Sequence, residues 1–399
     1  MTRVAIVVQR CHDTVVGGSE AEAWQYAQLL KSKFDIEVLT TTALDAVTWD
    51  NELPAKSEER AGVIVRRFAV DIGRSDYWRS LHDRLLADFD AFQNGDKRRI
   101  ETRWTLALQE EFIRHQGPYS TSLLNYLGDN AREYAAILFF TYLFPTTYFG
   151  IQRVPVQKTI LVPTLHNEAP AYLPAYKFVA RRARHLIWNT AAEARLGAKL
   201  WGHLEGDVVG MAVNTECVQQ SDEHGNFILY CGRISPAKGC SELFEYFRRY
   251  KNENSSSDLR LLLIGNSELE IPDCPDIEYL GFATESEKFT LIASANFVVV
   301  PSPYESLSLV ALEAMAQRVP VIANGKCQVL ADHIAIGKGG MLYDNYSSFA
   351  RALKTVESES IRRELGVNGR SYVIANYDQN KIKDAIVSGI ERQSAGMLA

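Results

Sequence analysis

The order of the apolar runs limits the fold more than any other feature of this chain. Short strand-like runs alternate with amphipathic helical stretches, and the whole alternation occurs twice. In the first half Val4–Val8, Ile36–Thr40 and Val63–Phe68 read as strands, with a helix over Ser19–Leu30. A charged, aromatic, helical region follows from Asp71 to Glu133, carrying Trp78, Trp104, Phe112 and Tyr126. Strand signals return at Ile137–Phe140, within an apolar stretch from Ala135 to Phe144 that reads as a core strand. Further strands are expected at Lys158–Val162 and His185–Trp188. The polar stretch Val218–Asn226 is expected to be the domain linker. Beyond it Phe227–Cys231, Leu259–Ile264, Ile277–Leu280, Phe297–Val300 and Val319–Ile322 read as strands, with helices over 240–250 and 284–294. Such alternation predicts parallel strands joined by helical crossovers, a doubly wound α/β layer in each half. Two halves of this kind would place a cleft between their strand carboxyl ends, where ligands of open parallel sheets bind. A length of 399 residues suits two domains, the first carrying a helical insertion over residues 71–133.

Composition excludes several classes. Hydrophobic content of 46% with 23% charged residues is that of an ordinary globular protein. A net charge of -6 argues against a nucleic-acid partner, which calls for a basic face. The six cysteines show no paired spacing, so free thiols in a reducing cytoplasm are expected, with no zinc site. The chain enters a strand directly at Val4, so no signal peptide is expected. No apolar run approaches the roughly 20 residues that span a bilayer.

The stretch Pro301–Ala316, PSPYESLSLVALEAMA, carries the most chemistry. Pro301 and Pro303 end a buried strand, because neither can donate to a ladder. A helix is expected to begin near Ser306 to Ser308. Glu305 then lies at the strand-to-helix crossing and Glu313 inside the helix, beside a terminus whose free amides and positive dipole end suit phosphate. Glu313 stands among Val310, Ala311, Leu312, Ala314 and Met315, and a charge in such a run calls for a partner. Otherwise the two acids are a cap and a surface glutamate. Arg233 and Lys238, in Cys231-Gly-Arg-Ile-Ser-Pro-Ala-Lys-Gly239, occupy another strand-to-helix loop. They either bracket a diphosphate or are two solvated charges. Gly17-Gly18 before the first helix allows close backbone approach to an anion, or is simply a turn with Ser19 as cap. His166 follows the strand ending at Val162 and is either an acid/base group or a structural histidine. Glu168 beside it is equally a loop charge.

Taken together, Gly17-Gly18, GRISPAKG at 232–239, PSPYES at 301–306 and the Glu305-x7-Glu313 spacing resemble the retaining glycosyltransferases of family 4. Leu262–Gly265 and Tyr279–Phe282 also look like that family's strand ends. The resemblance implies the GT-B fold: two Rossmann-like domains facing a central cleft. Residues 1–210 would form the acceptor-side domain and 211–375 the nucleotide-sugar domain, with 376–399 a helical segment expected to pack back on the N-terminal domain. By the resemblance, Arg233 and Lys238 would hold the donor diphosphate, Glu305 the donor-sugar hydroxyls and Glu313 the nucleotide ribose. The backbone of Ser306, Leu307, Ser308 and Leu309 would add amides to the phosphate, and Phe282 would contact the base. Gly17 and Gly18 would lie by the diphosphate and acceptor, and His166 would line the donor sugar. The family commonly has Phe-Gly where this chain has Leu307-Ser308, so an altered shape is expected there.

The implied activity is a metal-independent retaining transfer of a hexose-type sugar to a glycan or lipid-linked acceptor in cell-surface polysaccharide biosynthesis. A nucleotide-diphosphate sugar would serve as donor substrate, with no cofactor. A nucleotide-sugar epimerase of the same fold and a silent nucleotide-sugar- or glycan-binding subunit are the alternatives. A carboxylate-pair glycosidase leaves the two cations unexplained. The segment Tyr176–His185, with four Lys/Arg and no acid, suggests peripheral contact with an anionic membrane, or a solvated helix face. The expected location is therefore cytoplasmic, with peripheral association at the inner face of the membrane. The insertion 71–133 departs from the family pattern and is expected to contribute to acceptor choice.

Overall fold

A computed structural model describes residues 2–15, 17–219, 221, 223 and 225–395. The chain divides into two compact units. One comprises the residues up to Met211 together with those from Ile382 on; the other is Ala212–Lys381. The division at 211/212 lies upstream of the polar stretch expected to be the linker. Val218, within that stretch, donates its amide to Gln317 Oε1 at 2.9 Å, which ties its start to the second unit. Gln220, Asp222 and His224 lie outside the described residues.

The first unit is built on an eight-stranded sheet. Its strands are β1 Arg3–Val7, β2 Asp35–Thr41, β3 Ser57–Arg60, β4 Val63–Phe68, β5 Ala136–Phe140, β6 Thr159–Val162, β7 His185–Trp188 and β8 Gly206–Val208. Their order is β3-β4-β2-β1-β5-β6-β7-β8, and only the β3–β4 pair is antiparallel. The central strands are apolar on both faces because helices cover both. The edge strand β3, Ser-Glu-Glu-Arg, is not among the strands expected from the apolar runs; its alternating exposure and charge suit a sheet edge. The apolar stretch to Phe144 is strand only as far as Phe140, because Thr141 turns left-handed with φ +65°.

Residues 71–133 do form helices, at Asp76–Gln93, Arg99–Arg103, Leu106–Gln116 and Thr121–Asn130. They share one core with the sheet. Leu85, Trp104, Phe112, Ile113 and Leu127 are buried in the same cluster as Phe139 and Leu161. The last helix, Gln379–Ala395, buries Ile382, Ile386, Val387 and Ile390.

The second unit has an all-parallel sheet of β9 Phe227–Cys231, β10 Arg260–Ile264, β11 Ile277–Gly281, β12 Phe297–Val300, β13 Val321–Asn324 and β14 Gly340–Tyr343. The order β11-β10-β9-β12-β13-β14 reverses direction between β9 and β12, a topological switch point. The expected strand at 319–322 is shifted onward by Pro320, and β14 had no strong apolar signal. Helix Glu359–Tyr377 packs on helix Leu309–Ala316 at close range. A Cβ at Gly369 would lie 2.9 Å from the Met315 side chain, and one at Gly366 would lie 2.1 Å from the Arg318 carbonyl. Arg370 donates to the Ala316 carbonyl.

Two carboxyls lie inside the first unit, Glu22 on helix Gly18–Leu30 and Glu193 on helix Ala191–Trp201, both buried. Glu193 accepts the Leu165 amide at 2.6 Å and the Asn189 amide at 2.5 Å. Among the described residues Glu22 accepts the Asn189 side-chain amide, at 3.1 Å, and its Oε1 has no partner. Burial pushes both carboxyls up to about 8. Glu22 has fewer donors facing it, so it is the better holder of the proton. A carboxyl raised in the folded state stabilises below its unfolded value of 4.5, and that contribution is lost as pH rises through about 8. Glu22→Gln should therefore gain on the wild type over that window, by no more than about 1.4 kcal/mol per pH unit. Urea denaturation at pH 5, 6, 7 and 8 measures it; parallel curves would contradict it.

Candidate functional site

The loops after β9 and β12 meet at the switch point of the second unit. Gly239 is left-handed at φ +77°, and a Cβ there would come 2.3 Å from the Pro301 carbonyl oxygen. Only glycine allows the two loops to touch this way. Asn324, at the end of β13, donates to the same carbonyl at 2.9 Å and fixes it from the other side.

This contact sets the two charged loops in register. Lys238 Nζ lies 2.7 Å from Glu305 Oε1, the glutamate largely shielded and the lysine half-buried. The structure thus joins two residues expected in the site, each as the other's counter-ion. Arg233 is more open: its side chain is 60% exposed, with Glu268 3.4 Å away. Its backbone is held, since Tyr230 Oη donates to the Arg233 carbonyl at 2.6 Å.

Helix Leu309–Ala316 begins after Ser308, one residue later than the expected start. Ser308 is left-handed, with φ +65° and ψ +69°, and makes no side-chain cap. Its hydroxyl is buried without a partner. The amides of Ala311 and Leu312 reach the Ser308 carbonyl. Those of Leu309 and Val310 have no acceptor within the helix, as at any first turn. Ser306 belongs to the loop and Leu307 is buried. The altered shape expected at Leu307-Ser308 is therefore a serine in a backbone conformation that glycine adopts freely.

Glu313 has the partner its apolar setting called for. Lys288, on helix Glu285–Ser294, reaches Glu313 Oε1 at 2.9 Å, with both side chains about 15% exposed. Burial pushes the Glu313 carboxyl up, and Lys288 opposes the shift. Burial alone would lower the Lys288 ammonium, but Glu313 and Glu285 hold it above its ordinary value. Sequence reading missed Lys288 because helix packing, not local spacing, makes the pair. The two acids bracket the end of β9: Tyr230 feels the charge of Glu305, and Cys231 those of Lys288 and Glu313.

His333 was also missed. It is buried and donates from Nε2 to the Leu307 carbonyl at 2.7 Å, while Nδ1 faces Tyr372 Oη at 2.9 Å. Burial pushes its pKa down, which keeps the ring neutral. Phe282 follows β11 at the sheet's edge and is 64% exposed.

In the first unit Gly17 caps helix Gly18–Leu30, and the Glu20 carboxylate folds over it. Glu20 also takes Arg10 at 2.9 and 2.6 Å, so this helix terminus faces a carboxylate of the chain itself. Gly18 faces open space. His166 is half-buried just past β6, and its neighbour Leu165 is the residue fixed by Glu193. Glu168 accepts from Tyr142 Oη at 2.9 Å. Thr141 after β5 and Thr164 after β6 are both left-handed and hydrogen-bonded to each other at 3.1 Å. Such outliers gather at functional ends of sheets. The basic segment 176–185 is less free than its sequence suggests. Tyr176 is buried, and Arg181 and Arg182 donate to the Trp201 and Ile151 carbonyls. No helix of the described residues is long and apolar enough to cross a membrane.

Residues 225–359, within the second unit, match the model of the family described as glycosyl transferases group 1. An uncharacterized glycosyltransferase of Methanocaldococcus jannaschii is 27% identical over 176 residues, covering 41% of this chain and 48% of that protein. The capsular polysaccharide biosynthesis glycosyltransferase CapM of Staphylococcus aureus is 29% identical over 176 residues, 41% of this chain and 44% of CapM. The chain thus spans about half the length of the curated relatives it matches. Among solved structures, sucrose-phosphate synthase from Thermosynechococcus elongatus superposes with TM-score 0.69 at 17% identity, covering 100% of each chain. Anabaena HepE in complex with UDP and glucose gives 0.67 at 14% identity, covering 98% of this chain and 100% of that one. At such identities the likeness is one of fold, and that fold is GT-B-like, with two parallel α/β domains.

Two substitutions probe this geometry. Lys288→Met leaves a buried carboxylate unpaired and should cost about 3 kcal/mol of stability, with Lys288→Met/Glu313→Leu regaining most of it. Equal stability of the single and double variants in urea would contradict the pairing. Ser308→Gly relieves a left-handed serine and removes an unpartnered hydroxyl. It should raise stability by about 1 kcal/mol, read as a higher thermal midpoint.

Proposed function

We propose that this chain, whose second unit matches the group 1 glycosyltransferase model over residues 225–359, is a retaining glycosyltransferase. It would move a hexose-type sugar from a nucleotide-diphosphate sugar to a glycan or lipid-linked acceptor of polysaccharide biosynthesis. The observation that carries the reading is the Lys238–Glu305 pair at 2.7 Å, placed at the switch point before the first turn of helix Leu309–Ala316. Breaking the anomeric C–O bond builds positive charge on the sugar and negative charge on the departing diphosphate. Fixed cations and helix amides stabilise the second without having to reorganise. Lys238 and Arg233 take the diphosphate, and the amides about Leu309 add donors. Lys238 on its phosphate frees Glu305 to accept from donor-sugar hydroxyls. Glu313, held by Lys288, presents its remaining acceptor capacity to the ribose, and exposed Phe282 offers a face to the base. In this reading a leaving phosphate oxygen would take the acceptor's proton on the same face, and Glu305 has no covalent role. The cations are supplied by side chains, and the reading requires no metal. Gly17, Gly18 and His166 serve the acceptor-side unit. The reaction would take place in the cytoplasm.

A thermal-shift panel of UDP, GDP, ADP and CDP sugars tests the reading, with one clear stabiliser expected. Lys238→Met should abolish most of that shift and lower turnover roughly a hundredfold or more. A folded protein that responds to no nucleotide sugar would overturn the reading. Turnover of donor without acceptor would point instead to an epimerase.

A further inference from the structure

Among the described residues of the first unit, Arg74 sets a half-buried positive charge against aromatic rings with no acid at ion-pair distance. It follows β4, and its guanidinium carbon lies 4.5 Å from the Trp78 ring centre and 5.8 Å from that of Trp49. Its hydrogen bond to protein is from Nε to the Gln116 carbonyl at 3.4 Å, long for a charged donor. Among the described residues no carboxylate lies within ion-pair distance of it. The Asp45 charge acts on it, and the Asp45 carboxylate accepts the amides of Val47 and Thr48. Buried charges ordinarily have a carboxylate partner. Burial accordingly pulls the Arg74 pKa down to about 10.

The surroundings hold unpaired donors, and one unpaired acceptor in Gln116 Oε1. The indole N–H groups of Trp49 and Trp78 are buried without acceptors. His82 stacks on Trp78 at 4.7 Å and feels both Arg74 and Glu168. The cluster is also held under strain. Trp49 is left-handed at φ +63°, uncommon for so bulky a residue, and is wedged against Gly73 and Gly117. Trp49 follows β2, Arg74 follows β4, Tyr142 follows β5 and Glu168 follows β6. In a parallel sheet all four therefore belong to the carboxyl end, where ligands bind.

We propose that Arg74, flanked by Trp49 and Trp78, recognises a compact oxyanion, a phosphate or a carboxylate, on the sugar acceptor. Trp49 is buried and Trp78 is stacked on His82, so the rings position the guanidinium, which takes two oxygens of the anion. Arg74 and Trp78 come from the segment 71–133, which thereby selects for charge on the acceptor. The inference rests on the transferase reading, and on the first unit's residues alone.

Calorimetric titration of the full chain with glucose, glucose 6-phosphate and glucuronate tests it, first alone and then with saturating UDP. Wild type should bind at least one of the two anionic sugars about tenfold more tightly than glucose. Preference for the phosphate or for the uronate tells which oxyanion is read. Arg74→Gln should bring the preference below about twofold, and Arg74→Lys should keep part of it. The preference should also shrink as salt rises. An unchanged UDP-induced thermal shift in Arg74→Gln verifies that the variant is folded. Equal affinity for the three sugars, no binding of any, or a preference that survives Arg74→Gln would overturn the proposal. Anion binding that depends on Arg74 in a protein that binds no nucleotide would sink the transferase reading and leave this site standing.

Discussion

The contact between Gly239 and the Pro301 carbonyl governs the geometry of the second unit's charged loops. Without it the turns after β9 and β12 would stand apart by the width of a side chain. Lys238 would then lose Glu305 as a neighbour. The parallel sheet supplies the setting, because the strand order reverses there and leaves a crevice beyond β9 and β12. Asn324 extends the same fixation to β13. One carbonyl oxygen thus coordinates three strand ends.

Several left-handed residues other than glycine lie just past strand ends, while Ala61, Arg318 and Lys338 precede strands β4, β13 and β14. Trp49, Thr141, Thr164 and Ser308 are left-handed without being glycine, and each follows a strand of the parallel core. Strain of this kind persists where the surrounding packing over-determines it. Glu193, gripping the Leu165 amide, and His333, gripping the Leu307 carbonyl, are two such determinants. Neither is a candidate to touch a reacting atom; each fixes the peptide next to a residue that is.

Much of this was legible in the sequence. Apolar runs without alternation gave the central parallel strands, since burial on two faces removes the polar half of the pattern. The edge strands β3 and β8 escaped because their residues face solvent. The pairing of β14 comes from its neighbour β13 and not from its own apolar content. The acids Glu305 and Glu313 were readable from their position around a strand-to-helix crossing. Their partners differed in legibility: Lys238 lies in a loop with its own motif, whereas Lys288 lies on a helix whose pattern says only that it is amphipathic. Arg74 was invisible for a related reason. An arginine in a charged segment looks solvated until the fold shows two indoles around it and no acid.

The packing of helix Glu359–Tyr377 bears on what counts as the folding unit. The match to the group 1 glycosyltransferase model ends at residue 359, yet Gly369 admits Met315 of helix Leu309–Ala316, Gly366 admits the Arg318 carbonyl after it, and Arg370 closes the helix's last turn. Tyr372 faces the other nitrogen of His333, the ring that holds the loop before Ser308. The matched segment therefore stops short of the packing on which its own helix depends. A chain cut at its end would keep every charged residue of the second unit's loops and lose the helix that braces them.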